Sequence, residues 1–221
     1  MGEIERIEDS KEIIIHSRMI IYGDSASDEV AQGIEDEINT MWNEPKAEIL
    51  FNENLYNVRF EVQAVFDRYL SDVDILSNVS PRFNFIRVED FSPLNISWVD
   101  GIGSNTGYFL LSNLYKGSTT VAHEYGHSIG LAHPKELNFI GKGRPGIMYP
   151  RGTLVSPEFQ YDANAKPGEV GGTLHPMNRR VTQEDVDNLQ IPKHLLEGKK
   201  YLGNFTSVYH PRHIEKSKLE V

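Results

Sequence analysis

Residues 121–134 read Val-Ala-His-Glu-Tyr-Gly-His-Ser-Ile-Gly-Leu-Ala-His-Pro, and the reading of this stretch decides the rest. The spacing is H-E-x-x-H-x-x-G-x-x-H, filled by His123, Glu124, His127, Gly130 and His133. If residues 121–129 are helical, His123 and His127 lie one turn apart on one face. Two imidazoles at that spacing grip one metal ion, and Glu124 falls beside the open coordination position. Gly130 is free to take a left-handed conformation and end the helix. The chain then turns back, and His133 supplies a third nitrogen. Three protein ligands plus one water is the pattern of a catalytic zinc ion, because structural zinc is closed by four protein ligands. Five fixed positions, three of them His, arise by chance in a chain of this length with odds on the order of 10⁻⁵ to 10⁻⁴.

This stretch resembles the zinc helix of the metzincin metallopeptidases. That clan carries a second mark, a tight turn with a methionine beneath the metal. Gly146-Ile147-Met148-Tyr149-Pro150 is similar to it, and Met-Tyr-Pro looks like the matrixin branch. Arg180-Val181-Thr182-Gln183-Glu184-Asp185-Val186 resembles the start of the last matrixin helix. Elsewhere the likeness is architectural only. It implies an α+β metzincin-type zincin: a twisted mixed sheet with the zinc helix, a cleft, and a smaller irregular C-terminal part. The expected division is 1–133 and 134–221 within one catalytic domain.

Composition is ordinary for a soluble globular protein and excludes little. The chain has 221 residues, 39% hydrophobic and 24% charged, enough for one domain with a real core. Its formal net charge of −10 argues against nucleic acid as the main partner. There is no cysteine, so neither a disulfide nor a thiolate on the zinc is available within this chain. No apolar run approaches a membrane span. The opening Met-Gly-Glu-Ile-Glu-Arg is too polar for a signal peptide, so secretion by that route requires a leader outside this sequence. A monomer is expected, acting on a protein or peptide bound as an extended strand.

Periodicity supplies the framework. Residues 1–11 read as charged and loose. Residues 12–22, rich in Ile, read as a buried strand. Ser27 or Asp28 caps a helix running to about Trp42, with Val30, Ile34, Ile38 and Met41 on one face. Residues 57–66, 82–88 and 95–99 read as further strands. Residues 107–111 read as the strand before the zinc helix. By resemblance this is the edge strand along the cleft, placing Gly107, Tyr108, Phe109 and Leu110 against the substrate, although an interior strand reads the same way. Residues 118–120 offer helix caps. Thr182 caps a last helix that Ile191-Pro192 ends.

Residues 151–179 hold Pro157, Pro167, Gly168, Gly171, Gly172 and Pro176 and show little periodicity, a long loop of the kind that is functional or mobile. Tyr149 and Pro150 fall where the matrixin pocket wall would be, and Tyr161 is a candidate to reach the metal or the oxyanion. His175 is a further candidate ligand. Asp100 and Asn105 offer oxygen for calcium, but too few oxygen ligands surround them in sequence, and a turn accounts for them. Met148 is expected to pack beneath the histidines and not to coordinate. The chemistry implied is hydrolysis of internal peptide bonds, with one catalytic zinc and Glu124 as general base and acid. Two alternatives share the same residues: a narrow-specificity effector or toxin peptidase, and a zinc-binding recognition module without catalysis.

Overall fold

A computed structural model describes residues 1–213. Its centre is strand β2, Glu12–Tyr22, which follows β1, Gly2–Ile7. In β2 Ile13, Ile14, Ile15, Met19, Ile20 and Ile21 are all buried. A near-continuous apolar run of this kind marks a strand covered on both faces. Beyond it come helix α1 (Asp28–Asn43), the hairpin of β3 (Glu48–Phe51) and β4 (Asn54–Phe66), and the short helix α2 (Asp72–Leu76). Next are β5 (Phe83–Glu89), β6 (Trp98–Val99) and β7 (Thr106–Leu110), which lead into helix α3 (Thr120–Ser128). The chain closes with α4 (Gln183–Asp187), α5 (Ile191–Leu196) and β8 (Tyr201–Leu202). The sheet order is β3-β4-β2-β5-β7-β6, and β1 joins β2 to β8. β4, β2, β5 and β7 run parallel; β3, β6 and β1 pair antiparallel with their neighbours. This is the α+β architecture with a mixed sheet that the sequence predicts.

α1 begins where Ser27 accepts a hydrogen bond from Val30 N, and it buries Ala31, Ile34, Ile38, Met41 and Trp42 against the sheet. It also closes the free edge of β4. The Asn39 and Asn43 amides each exchange two hydrogen bonds with the backbone of Val62 and Phe60, at 2.7–3.0 Å. An edge answered by side-chain amides is no longer a template for another strand. One apolar cluster runs from Ile13 and Trp42 through Tyr125 to Ile147, Met148, Val186 and Leu202. The core therefore includes residues from both sides of His133.

Four points of the fold correct or add to the sequence reading. Residues 1–11 are not loose: β1 lies antiparallel on β2 from Glu3↔His16 to Ile7↔Glu12. Its Ile4 is buried while Glu5 and Arg6 are exposed, so its charges disguise a strand. The β3–β4 hairpin turns on Asn52 and Glu53, at φ 47° and 63°. That is the left-handed pair a two-residue turn needs, without the usual glycine. Ile191-Pro192 starts a helix where the sequence reading ends one, because proline at the first helical positions forfeits no hydrogen bond.

The fourth concerns the cleft. β7 is an interior strand, paired with β5 on one side and with Trp98 and Val99 on the other. Gly107, Tyr108, Phe109 and Leu110 are all buried within the sheet. The sheet ends instead at β6. Gly107 is required by that neighbour: a Cβ there would stand 2.6 Å from the Trp98 carbonyl oxygen and 3.1 Å from Val99 Cα. Gly107→Ala is expected to destabilise the fold by about 1–3 kcal/mol through overpacking. Thermal unfolding checks it, and an unchanged Tm would contradict the close approach of β6 and β7.

Candidate metal centre and cleft

α3 is held on every side. Its N-cap, Thr119, sits at φ 59° and offers the helix no side-chain bond. The free amides are met from another helix, where Glu37 of α1 accepts from Ala122 N at 3.1 Å. A carboxylate at a helix N-terminus is favoured by the helix dipole. Trp42 Nε1 donates to Ala122 O at 3.1 Å, and the Tyr125 hydroxyl bonds Ser17 Oγ at 2.8 Å. Gly126 lets Met148 pass beneath the helix: a Cβ there would meet Met148 Sδ at 2.4 Å. At the far end Gly130 takes φ 111°, Leu131 N bonds Gly126 O at 2.9 Å and Gly130 N bonds His127 O at 3.1 Å. These two bonds complete a Schellman stop, which swings the chain back toward the helix.

His133 then meets the two helical histidines. Its Nε2 lies 3.0 Å from His123 Nε2 and 3.1 Å from His127 Nε2. His123 Nδ1 lies 2.7 Å from Ile147 O, and His127 Nδ1 lies 2.7 Å from Leu131 O. A carbonyl accepts only from N–H, so both rings carry their proton on Nδ1 and turn the Nε2 lone pair inward. Burial also holds the rings neutral: it lowers His123 well below the ordinary range, His127 to about 4, and His133 by a smaller amount. Neutral imidazoles with converging lone pairs repel one another unless a cation sits between them. Tetrahedral zinc sets such nitrogens about 3.3 Å apart. The donor set therefore fits a metal ion held by His123, His127 and His133, the one such group among the described residues.

The support beneath the site comes from far along the chain. Asp185 Oδ2 accepts from Thr182 N at 2.8 Å in the cap of α4 and from Ile147 N at 3.4 Å. The last helix is thereby tied to the turn whose carbonyl orients His123. Glu124 is buried beside the histidines, and burial pushes its carboxyl up to about 8, with Arg179 and the Val99 amide acting the other way.

No family model matches the sequence, and no curated protein matches it either. Among solved structures, archaemetzincin from Methanopyrus kandleri is similar at 10% identity and a TM-score of 0.41, over 80% of this chain and 96% of that one. Myroilysin is similar at 13% identity and a TM-score of 0.27, over 94% of this chain and 77% of that one. Overlaps this low speak to neither activity nor substrate, and the functional reading rests on the site itself.

The cleft beside Glu124 has a volume of about 170 Å³ and is lined by Ile96, Ser97, Thr120, His123, His133 and Pro150, together with two arginines, Arg151 and Arg179. Sequence reasoning missed both arginines, since Arg179 reaches the site from 55 residues beyond Glu124 with no motif to mark it. Pro150 lines this cleft. Tyr149 instead packs on Phe139, ring centroids 4.7 Å apart, and lines a separate cavity of about 640 Å³ on the other side of His133. Tyr161 is exposed, packs tilted against His175 with ring centroids 4.5 Å apart, and is not among the residues lining the cleft. His175 accepts from Met177 N and stands apart from the metal ligands. Asp100 is engaged by Thr106 and His210, and Asn105 accepts from Thr206 N, so both anchor the C-terminal segment and not a cation.

Proposed function

We propose that this chain is a zinc-dependent metalloendopeptidase of the metzincin type. The observation that carries the reading is the convergence of three neutral imidazole nitrogens with a buried carboxylate beside them. His123, His127 and His133 would hold the ion, and three histidines with an open fourth position are a catalytic zinc set. When bound there, zinc supplies Lewis acidity to a water and to a carbonyl oxygen.

The protein's own groups do the rest. Glu124 accepts the proton of the attacking water and returns it to the departing amine, which requires a group that changes protonation state within one turnover. Met148, wedged under Gly126, supports the helix from below, the part a methionine turn plays. The substrate main chain lies along the outer edge of β6, beside Ile96 and Ser97, where backbone pairing can add a strand. That geometry favours cuts within a chain. A recognition module without catalysis would have no use for Glu124 in an open cleft.

Mass spectrometry of a proteome-derived peptide mixture tests the reading. Internal cuts are expected that stop with chelator and return with zinc. Cleavage that survives chelation, or none from zinc-loaded protein, would overturn it.

A further inference from the structure

Arg179 is only 4% exposed, yet it lines the cleft that holds Glu124 and His133. Its Nε donates to Thr119 Oγ1 at 2.9 Å, while Nη1 reaches Tyr149 O at 3.3 Å and Nη2 reaches Thr119 O at 3.5 Å. These neutral acceptors take three of the five N–H donors of a guanidinium, two of them at long range. Among the described residues no carboxylate lies within 4.0 Å of it. Glu37 is occupied by the Ala122 amide, and Glu124 draws on Arg179 only at a distance. A buried cation with no carboxylate in direct contact is costly, and its free donors suit an arriving anion. Arg151, exposed at the rim of the same cleft, brings a second positive charge; burial first and then this charge lower the proton affinity of Arg179, while Glu124 and Glu37 raise it. Two like charges converge on one small cavity while the chain as a whole carries −10.

Resting on the peptidase reading, we propose that Arg179 and Arg151 form a carboxylate receptor in the cleft and select substrates with an acid next to the bond that is cut. Arg179 is the fixed half. Its anchors on Thr119 and Tyr149 hold the planar fork in one orientation, the geometry suited to a bidentate carboxylate. Arg151 is the mobile half and contributes mainly charge. The carboxylate is either an Asp or Glu side chain or the free end of a peptide.

The test uses zinc-loaded Glu124→Gln protein, the full chain, and fluorescence anisotropy with labelled nonapeptides of a Gly-Ala-Leu host. One set is C-terminally amidated and carries Asp, Glu, Asn or Gln at each position in turn. A second set is neutral with a free C-terminal acid. At least about tenfold tighter binding of an acid-bearing peptide over its amide is expected. Arg179→Lys, which keeps the charge and loses the fork, should reduce that ratio, and Arg151→Glu should abolish it. Preference in the first set assigns a side chain, and in the second a chain end. Because Arg151 is exposed, its variant stays informative even if Arg179 variants fold poorly. Equal binding of acid and amide peptides, or a ratio that neither arginine change moves, would overturn the proposal. If wild-type protein cuts peptides without acidic preference, the receptor fails and the peptidase reading stands. If acid-bearing peptides bind through the arginines and none is cut, the reverse holds.

Discussion

Glu124→Gln should lower peptide hydrolysis by about 10²–10⁴-fold while leaving zinc in place. The two effects separate because the carboxylate lies beside the ligands and is not one of them. His123 and His127 are oriented by the carbonyls of Ile147 and Leu131, which the substitution does not touch. The amide keeps the shape of the side chain and can no longer take up a proton. Kinetics at saturating substrate, with metal content measured on the same sample, checks this. A variant that cleaves at the wild-type rate would remove Glu124 from the mechanism.

Removing the metal should lower Tm by about 8–16 °C. A ligand that binds only the folded state contributes about 4 kcal/mol at a thousandfold excess over Kd, and 1 kcal/mol moves Tm by about 2–4 °C for a domain of this size. His133→Ala isolates the effect. His133 is exposed, so truncating it costs little packing, yet it carries the nitrogen that closes the set. The variant should melt where chelated wild-type protein melts and should not respond to added zinc. A zinc-dependent rise in Tm in His133→Ala equal to that of wild type would count against a three-histidine site.

The histidine cluster was legible because it is local. Two histidines a turn apart, a glycine stop and a third histidine lie within eleven residues, and the Schellman turn at Gly130 carries out that instruction. The supports were not legible, for a physical reason. Glu37 reaches the start of the zinc helix from α1, Asp185 reaches Ile147 from α4, and Arg179 enters the cleft from the far side of a long loop. Each is an ordinary charged residue in its own neighbourhood, and only the three-dimensional packing gives it a role. The cleft edge was misread for a related reason. Both 95–99 and 107–110 read as strands, and nothing local to either says which lies outermost; the structure puts Trp98–Val99 there. Gly107, read as a place for substrate, is where β6 comes close.

Metal content of purified protein, by elemental analysis after equilibration with zinc and removal of the excess, tests the central claim most directly. One zinc ion per chain is predicted for wild type and for Glu124→Gln, and none for His133→Ala. Full zinc in His133→Ala, or none in wild type, would contradict the account.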